Sequence, residues 1–373
     1  MDKKKILILG STGSIGQQTL DIVDKNRDRF EIEALTCNEN IDLILEQSKK
    51  FGVKKVGVAD KKRYQVKNKN WYWGEEEIEQ MIRESKADLV VMAISGAKSL
   101  KPTLAAIESG KDVALASKEV MVLAGEIINQ KVKEHQINLL PVDSEHSAIW
   151  QCLRSGKKSE VEKIILTCSG GPFLNLDKSE FEKITVERAL NHPNWKMGKR
   201  ITIDCATLMN KGLEFIEAKW LFDLTDDQIE IVIHPQSLIH SAVQFWDGSI
   251  IAQIGNKDMR IPIQNALTYP DRVKNDLERV DWFNSKMDFY KPDLEKFPCL
   301  KYALEAAKIG GTMPVVLNAI DEVAVDLFLK QKIKFEDIPK MVEKALKNHK
   351  LIKKPNLKQI LETDNLVRQT AGI

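Results

Sequence analysis

Short apolar runs alternate with amphipathic stretches through the first part of the chain. The apolar runs are Lys5 to Leu9, Phe30 to Thr36, Lys54 to Val58, Asp88 to Ile94, Asp112 to Ala116 and Ile137 to Val142. Because their hydrophobicity is continuous rather than alternating, these runs predict strands that are covered on both faces. The stretches between them, such as Ser14 to Lys25 and Asn40 to Phe51, predict crossover helices. The pattern therefore predicts an α/β domain over residues 1–143, with a doubly wound parallel sheet.

The pattern changes from about Ser144, and residues 144–270 are predicted to form an α+β catalytic domain. The predicted helices are Ser144 to Arg154, Asp204 to Phe222 and Asp258 to Thr268, and the predicted strands are Val161 to Thr167, Gln228 to Ile233, His240 to Trp246 and Ser249 to Ile254. A long irregular segment, residues 169–200, separates the first strand from the second helix. Such segments inside compact domains often act as lids, so a mobile lid is predicted here.

The last part of the chain is predicted to be helical. Residues 271–296 contain proline and charge with little periodicity, which indicates a linker. Residues 297–373 are predicted to form a C-terminal helical bundle, with helices at Leu300 to Ile309, Pro314 to Lys330, Phe335 to Asn348 and a shorter one near Leu357 to Glu362. No chemical constellation lies in this bundle, so packing is its expected role.

Composition narrows the class of protein. The formal net charge of +2 favours neither a nucleic-acid scaffold nor a protein that binds acidic membranes. The five cysteines are odd in number, scattered and without a C-x-x-C pair, which fits a reducing cytoplasm. No window approaches the roughly 18 apolar residues that a membrane span requires. We therefore expect a cytoplasmic protein with neither nucleic acid nor membrane as a partner.

A glycine-rich loop follows the first predicted strand and opens a helix. It runs Gly10-Ser-Thr-Gly-Ser-Ile-Gly16. Glycines let the backbone approach a pyrophosphate, and free N–H groups at the helix start bind it, so the loop predicts dinucleotide binding. A tight structural turn is the alternative. The second strand ends in Thr36-Cys-Asn-Glu-Asn40 without a clean acid or an arginine, so these residues leave the cofactor's 2′-position undecided.

Three acids form the candidate metal site. Asp143 and Glu145 lie two residues apart where an apolar run ends, and Glu214 lies further along the chain. If folding brings them together, like charges about 4 Å apart repel by roughly 4 kcal/mol per pair at an effective dielectric near 20, so the cluster needs a cation. Oxygen ligands without cysteine suit magnesium or manganese better than zinc. The alternative is that all three are surface acids.

Six ordered motifs make the chain resemble the 1-deoxy-D-xylulose 5-phosphate reductoisomerase family. They are Gly10-Ser-Thr-Gly-Ser-Ile-Gly16, Pro141-Val-Asp-Ser-Glu-His146, Ser169-Gly-Gly-Pro-Phe173, His192-Pro-Asn-Trp195, Met209-Asn-Lys-Gly-Leu-Glu214 and Ile233-His-Pro-Gln-Ser-Leu-Ile-His240. The resemblance implies rearrangement of 1-deoxy-D-xylulose 5-phosphate and reduction by NADPH to 2-C-methyl-D-erythritol 4-phosphate, in non-mevalonate isoprenoid biosynthesis. It also implies a homodimer.

The resemblance assigns roles to particular residues. Asp143, Glu145 and Glu214 would hold Mg²⁺ or Mn²⁺. Together with Lys118 and His240 they would form the catalytic set. Without the family, Lys118 is equally well interpreted as a surface lysine, and His240 as a core histidine. Glu145 and Glu214 would also contact substrate, and the other implied substrate contacts are Ser144, Ser169, His192, Trp195, Met197, Cys205, Asn210 and Lys211. The implied cofactor contacts are Thr12, Gly13, Ser14, Ile15, Asn38, Glu39, Asn40, Ser117, Glu119 and Gly198.

Three positions depart from the family pattern. Cys205 lies where the family typically has a serine that bonds the phosphate, and losing such a bond costs roughly 1.5 to 3 kcal/mol. Ser117 replaces an asparagine, and Asn38-Glu39 replaces glycine and a basic or small polar residue near the 2′-phosphate. A carboxylate there repels that phosphate unless it points away, which leaves use of NADH open.

Two other functions remain open from the residues alone. One is an ordinary NAD(P)-dependent dehydrogenase of a small phosphorylated or acidic metabolite, which needs no three-carboxylate metal site. The other is a dinucleotide-sensing regulatory protein with a degraded active site. Sensitivity of turnover to a chelator discriminates between the first of these and the metal-dependent reaction.

Overall fold

The computed structural model of the protein describes residues 3–63, 70–195 and 197–371. Residue 196 of the predicted lid lies outside this range. The chain divides into two compact units: unit 1 is Met1–Val120, Ile128–Ser147 and Asp258–Asp276, and unit 2 is Met121–Ile127, Ala148–Lys257 and Leu277–Ile373. Residues 258–270, expected in the catalytic domain, thus belong to unit 1. The predicted domain boundaries themselves stay predictions.

The described residues contain eleven strands and fourteen helices. The strands are β1 (Lys4–Leu9), β2 (Phe30–Cys37), β3 (Lys55–Val58), β4 (Trp71–Trp73), β5 (Leu89–Met92), β6 (Asp112–Leu115), β7 (Leu139–Pro141), β8 (Val161–Cys168), β9 (Ile229–Ile233), β10 (Ile239–Phe245) and β11 (Ile250–Ile254). The helices are α1 (Ser14–Lys25), α2 (Ile41–Phe51), α3 (Glu75–Glu84), α4 (Leu100–Glu108), α5 (Glu119–His135), α6 (Ser144–Leu153), α7 (Val186–Leu190), α8 (Lys199–Ala206), α9 (Met209–Phe222), α10 (Arg260–Thr268), α11 (Pro298–Ile309), α12 (Met313–Leu329), α13 (Asp337–Asn348) and α14 (Leu357–Ala371).

Unit 1 is built on the predicted parallel sheet. Its seven strands lie in the order β4-β3-β2-β1-β5-β6-β7, and every neighbouring pair is parallel. Side chains on both faces of the central strand are buried, as in Ile6 to Leu9, because helices cover both faces. The carboxyl ends of parallel strands meet at one edge, so the segments after β1, β2, β6 and β7 share that edge.

Unit 2 contains the second, smaller sheet. Its strands lie in the order β11-β10-β8-β9; β10 is antiparallel to β8 and β11, whereas β8 and β9 are parallel. The C-terminal helices α11 to α14 pack with α8 and α9 on a common apolar core that includes Leu213, Leu300 and Leu317. The four predicted strands thus form one mixed sheet, and the prediction of a C-terminal helical bundle is confirmed.

One predicted helix is wrong. The expected continuous helix from Asp204 to Phe222 is two helices, α8 and α9, because Leu208 between them has a left-handed backbone (φ +59°). The hydroxyl of Thr207 accepts from the Met209 N–H at 3.3 Å, a local bond that competes with helix continuation. The last helix is also longer than expected, since α14 continues to Ala371, and the predicted irregular lid contains the short helix α7.

Over the residues that are described, none of the helices combines the length and the apolar character needed to cross a membrane.

Candidate active site

The glycine loop of unit 1 has the geometry of a phosphate-binding turn. Gly10 has φ +86°, and a Cβ there would lie 2.6 Å from the Ala93 carbonyl oxygen. A Cβ on Gly16 would lie 2.3 Å from the Gly10 carbonyl oxygen, so the helix start packs directly on the loop. Gly13 caps α1 without a side-chain hydrogen bond, which leaves first-turn N–H groups facing outward. The loop therefore presents backbone donors to an anion.

A buried side chain that sequence reasoning missed holds this loop. Gln47 of α2 accepts from the Ser11 hydroxyl at 2.7 Å and donates to the Ser11 carbonyl at 3.0 Å. The Ser11 N–H also donates to the Thr36 carbonyl at 2.8 Å. Nothing in the local pattern distinguishes Gln47 from a surface glutamine, because its role depends on packing between distant segments.

The segment after β2 is exposed at the same sheet edge. Asn38, Glu39 and Asn40 are all solvent-exposed. Asn40 caps α2, since its Oδ1 accepts from the Leu43 N–H at 3.2 Å. The Asn38 carbonyl accepts from the Asp60 N–H at 2.9 Å, which ties this segment to the end of β3.

The segment after β6 carries three predicted residues, all buried. The Ser117 hydroxyl donates to the Ile94 carbonyl, and the Glu119 carboxylate accepts from the Gly96 N–H at 3.1 Å. Lys118 is not a surface lysine, because its side chain is 8% exposed and its Nζ lies 2.6 Å from Asp143 Oδ2. Adjacent parallel strands β6 and β7 bring this pair together.

Asp143 and Glu145 begin α6. The Asp143 carbonyl accepts from the Ser147 N–H at 2.8 Å, and its Oδ1 accepts from the Ser144 N–H at 2.9 Å. Glu145 lies in the first helical turn, and its carboxylate accepts from the Ser144 hydroxyl. The helix dipole favours negative charge at this end of α6. These contacts hold two carboxylates at the functional edge of the sheet.

Within unit 2, α9 gathers three predicted residues. Asn210 and Lys211 both donate to Glu214, and all three side chains are buried. The spacing of three and four residues puts them on one helix face, as predicted. Sequence reasoning missed Glu217, which is fully buried one turn after Glu214; the i, i+3 spacing was the available signal.

The lid segment is organised around His192. Its Nδ1 accepts from the backbone N–H groups of Asn194 and Trp195, both at 3.1 Å, so the ring proton lies on Nε2. Nε2 is 3.1 Å from the Ser169 hydroxyl, to which it donates. Burial, aided by the positive charge of Lys257, lowers the pKa of His192 to about 4. His192 is thus a neutral donor at neutral pH.

Asn194 links the lid to the segments that contain Pro235 and Lys257. Its side-chain amide donates to the Pro235 carbonyl at 2.6 Å, and its Oδ1 accepts from Lys257 at 3.2 Å. Neither Asn194 nor Lys257 had a predicted role. Their separation along the chain leaves no sequence signal for this contact.

The remaining predicted residues of unit 2 lie in and beside the lid. The Trp195 and His240 rings are 6.2 Å apart, and His240 Nε2 lies 3.2 Å from the Gly255 carbonyl. Cys205 is half-buried near the end of α8, Gly198 is the exposed N-cap of that helix, and Met197 is half-buried before it. These contacts are compatible with either an active-site or a packing role for His240.

The doubly wound sheet, its glycine loop and the buried polar edge define an α/β dinucleotide-binding protein with a second compact unit. Three family models match the chain: 1-deoxy-D-xylulose 5-phosphate reductoisomerase over residues 6–125, its C-terminal domain over 139–222, and the DXP reductoisomerase C-terminal domain over 254–370. The chain belongs to the 1-deoxy-D-xylulose 5-phosphate reductoisomerase family.

Relatives of that name match over nearly the full chain. The protein from Thermoanaerobacter pseudethanolicus is 52% identical, covering 98% of each chain, and that from Porphyromonas gingivalis is 47% identical, covering 99% of this chain and 97% of its own. The Zymomonas mobilis structure in complex with NADPH has a TM-score of 0.91 at 42% identity, covering 100% of this chain and 98% of that one. A structure of DOX-P reductoisomerase with NADPH, fosmidomycin and magnesium has a TM-score of 0.94 at 38% identity, covering 99% and 97%.

Proposed function

We propose that this protein converts 1-deoxy-D-xylulose 5-phosphate into 2-C-methyl-D-erythritol 4-phosphate by rearrangement and NADPH-dependent reduction, with Mg²⁺ or Mn²⁺. The observation that carries the proposal is 52% identity over 98% of the chain to a relative named for this reaction. Relatives crystallised with NADPH and with magnesium support the choice of cofactors. The reaction is a step of non-mevalonate isoprenoid biosynthesis.

NADPH is assigned to the carboxyl edge of the sheet in unit 1. The loop residues Thr12, Gly13, Ser14 and Ile15 fit its pyrophosphate, because they offer backbone donors at a helix start. The further proposed contacts are Asn38, Glu39, Asn40, Ser117, Glu119 and Gly198. When bound, NADPH supplies the hydride for the reduction.

The divalent ion is assigned to Asp143, Glu145 and Glu214. Their oxygen donors suit Mg²⁺ or Mn²⁺, and each of two acids already has a lysine partner: Lys118 for Asp143 and Lys211 for Glu214. In these pairings each lysine supplies a positive counter-charge beside a carboxylate that is a proposed metal ligand. When bound, the ion supplies charge stabilisation during rearrangement.

The protein's own side chains then bind and orient the substrate. Ser169, Asn210, Lys211, Cys205 and the Nε2–H of neutral His192 supply the phosphate contacts in this proposal, and Ser144 contacts the substrate beside the acids. Lys118 stabilises negative charge or donates a proton. Trp195 and Met197 belong to the lid, which excludes water during reduction, and His240 belongs to the proposed catalytic set.

The test is an assay of NADPH oxidation with 1-deoxy-D-xylulose 5-phosphate, with and without metal, repeated with NADH. We expect turnover that excess chelator abolishes and that added Mg²⁺ or Mn²⁺ restores. NADPH binding, followed by its fluorescence, serves as the control and should survive chelation. Persistent turnover under chelation would support an ordinary dehydrogenase, and NADPH binding without any turnover would support a sensor.

We further propose a cytoplasmic homodimer. None of the five cysteines, all of which lie among the described residues, forms a disulfide, and this supports a reducing compartment. β11 is an edge strand, and the hairpin it forms with β10 exposes Trp246, Ile250 and Ile251, an apolar group suited to a second copy of the chain. Light scattering should give twice the chain mass for the native protein and a monomer for Ile251→Glu. A control at an exposed polar site, Lys330→Glu directly after α12, should remain dimeric.

A further inference from the structure

The side-chain amide of Gln47 is held in one orientation by two hydrogen bonds to the glycine loop. The residue lies on α2 and is 7% exposed. Its Oε1 accepts from the Ser11 hydroxyl, and its Nε2 donates to the Ser11 carbonyl at 3.0 Å. The reversed amide would place Oε1 against the carbonyl oxygen, and neither of these two acceptors carries a proton. Gln47 therefore acts through specific hydrogen bonds as well as through its volume.

The glycine loop uses most of its own backbone donors inside the fold. The Gly10 N–H donates to Thr36 Oγ1 at 2.9 Å, and the Ser11 N–H donates to the Thr36 carbonyl at 2.8 Å. The Gly13 N–H donates to the Gly10 carbonyl at 3.0 Å and closes the turn. Within the part of the chain that the structure describes, the Thr12 N–H donates to no protein acceptor. This N–H is the donor of the turn that is available to an anion.

Gln47 controls the direction of that donor through one peptide unit. The Ser11 carbonyl and the Thr12 N–H belong to the same peptide, and in a trans peptide the C=O and N–H bonds point in opposite directions. Because Gln47 holds the carbonyl toward α2, the Thr12 N–H points away from this helix. Thr12 is half-buried and the next two residues are exposed, so this is the open side of the loop.

We propose that Gln47 is a positioning residue for the cofactor, which orients the Thr12 N–H toward the pyrophosphate of NADPH. The inference rests on the proposed function, because it takes the glycine loop as the pyrophosphate site. Gln47 acts on the cofactor through the Ser11–Thr12 peptide and not by direct contact. NADPH and NADH share the pyrophosphate, so the orientation of this donor should affect both cofactors equally.

The position of Gln47 on α2 suggests a second route, which the experiment has to separate from the first. Asn40 caps α2, and Asn40, Ile44 and Gln47 lie on one face of the helix because they are four and three residues apart. A change at Gln47 that moved the helix would therefore displace Asn40, a proposed contact near the 2′-phosphate. That displacement would weaken NADPH binding and leave NADH binding unchanged, since NADH lacks the 2′-phosphate.

The test is cofactor binding to the full-length protein, with the dissociation constants of NADPH and NADH measured by fluorescence titration. Gln47→Met keeps an unbranched side chain of similar length but removes the amide donor and acceptor. It should raise both dissociation constants about tenfold, as expected for a weakened hydrogen bond to a charged group. With active enzyme, KM for NADPH should rise by the same factor, and kcat at saturating NADPH should not change. The matched control is Gln80→Met, which replaces an exposed glutamine on α3 and should bind both cofactors like the native protein.

Gln47→Glu separates hydrogen bonding from packing, because its side chain has nearly the same shape. A carboxylate accepts from the Ser11 hydroxyl but has no proton for the Ser11 carbonyl, whereas the protonated acid serves both groups. Burial favours the protonated form, so the affinity of this variant relative to the native protein should recover as pH falls from about 8 to about 5. Calorimetry with the acid-stable NADP⁺ measures this ratio, and the native protein at each pH corrects for titration of the 2′-phosphate. Gln80→Glu should follow the native protein at every pH.

Three results would overturn the proposal. The first is native affinity of folded Gln47→Met for both cofactors. The second is a loss in Gln47→Glu that stays constant with pH, which would indicate packing alone, and the third is a loss confined to NADPH, which would indicate displacement of Asn40.

Ser11→Ala decides the question if both Gln47 variants fail to fold. It removes the hydroxyl that donates to Gln47 and should weaken both cofactors about two- to tenfold, whereas unchanged affinity would contradict the proposal. A native protein that binds neither cofactor would contradict the proposed function together with this inference. The outcomes observed with the variants alone would contradict only the inference.

Discussion

Two buried acids of unit 2 differ in the groups that lie beside their carboxylates. Glu214 on α9 is 1% exposed and is paired with Lys211, whereas Asp321 on α12 is 0% exposed and neither of its carboxylate oxygens accepts a hydrogen bond within the described residues. A lysine partner gives a buried carboxylate a positive counter-charge, and in the proposed site the carboxylate can bind a metal ion while the lysine binds a phosphate group. Burial and repulsion by Asp204 raise the pKa of Asp321 well above its ordinary value, so this acid offers less negative charge to a ligand. The type of neutralisation thus separates the site from its scaffold.

The largest expected effect comes from removing the charge of Glu214. Glu214→Gln should lower turnover at least about 100-fold, because it replaces a proposed metal ligand with a weaker neutral one. It also leaves Lys211 as a buried cation without its carboxylate, so the free energy of unfolding should fall. Steady-state assays at saturating metal and thermal melting measure the two effects.

Glu134→Gln is the matched control for this variant. Lys131 and Glu134 on α5 have the same spacing as Lys211 and Glu214, but the pair is exposed, with Nζ to Oε2 at 2.9 Å. Exposed pairs contribute about 0–1 kcal/mol, so turnover and melting should hardly change. Equal effects of the two substitutions, or full turnover of Glu214→Gln, would refute the metal assignment and the distinction drawn between site and scaffold.

The second prediction concerns His192, which deprotonation makes neutral. His192 stays neutral above a pKa of about 4, so its Nε2–H, the proposed phosphate donor, should contribute equally to substrate KM from about pH 5 to about pH 8. His192→Ala should raise KM about tenfold across that range, since a hydrogen bond to a charged phosphate is lost. The measurement is KM for the phosphorylated substrate against pH.

The same shift has a consequence for stability. Because the folded pKa of His192 lies below the ordinary 6.5, neutral His192 stabilises the fold above that value, and the contribution is lost as pH falls toward 4. His192→Gln, which retains a donor and an acceptor, should reduce this acid sensitivity of the melting temperature. A tenfold KM effect that appears only on one side of pH 6.5 would contradict a neutral donor.

Periodicity and motif order predict much of the fold and the identity of the candidate residues. Continuous apolar runs specify the parallel sheet because both faces need cover, and Met209 to Glu214 reads as one helix face because of i, i+3 and i, i+4 spacing. The break at Leu208 escapes this reasoning, since it depends on a left-handed backbone and the Thr207 hydroxyl. Gln47 and Asp321 escape it too, because burial of a polar side chain is set by distant packing.

The smallest expected effect lies at Glu39, which is exposed, unlike Glu214 and Asp321. If its carboxylate repels the 2′-phosphate, Glu39→Gln should tighten NADPH binding by about two- to fivefold at low salt, because exposed charge interactions are worth at most about 1 kcal/mol. Added salt should shrink the gain, and NADH affinity should not change. Fluorescence titration of both cofactors measures this, with Glu31→Gln on β2 as the exposed control. Equal tightening of NADPH and NADH would mean that Glu39 acts through the conformation of the segment after β2 rather than through its charge.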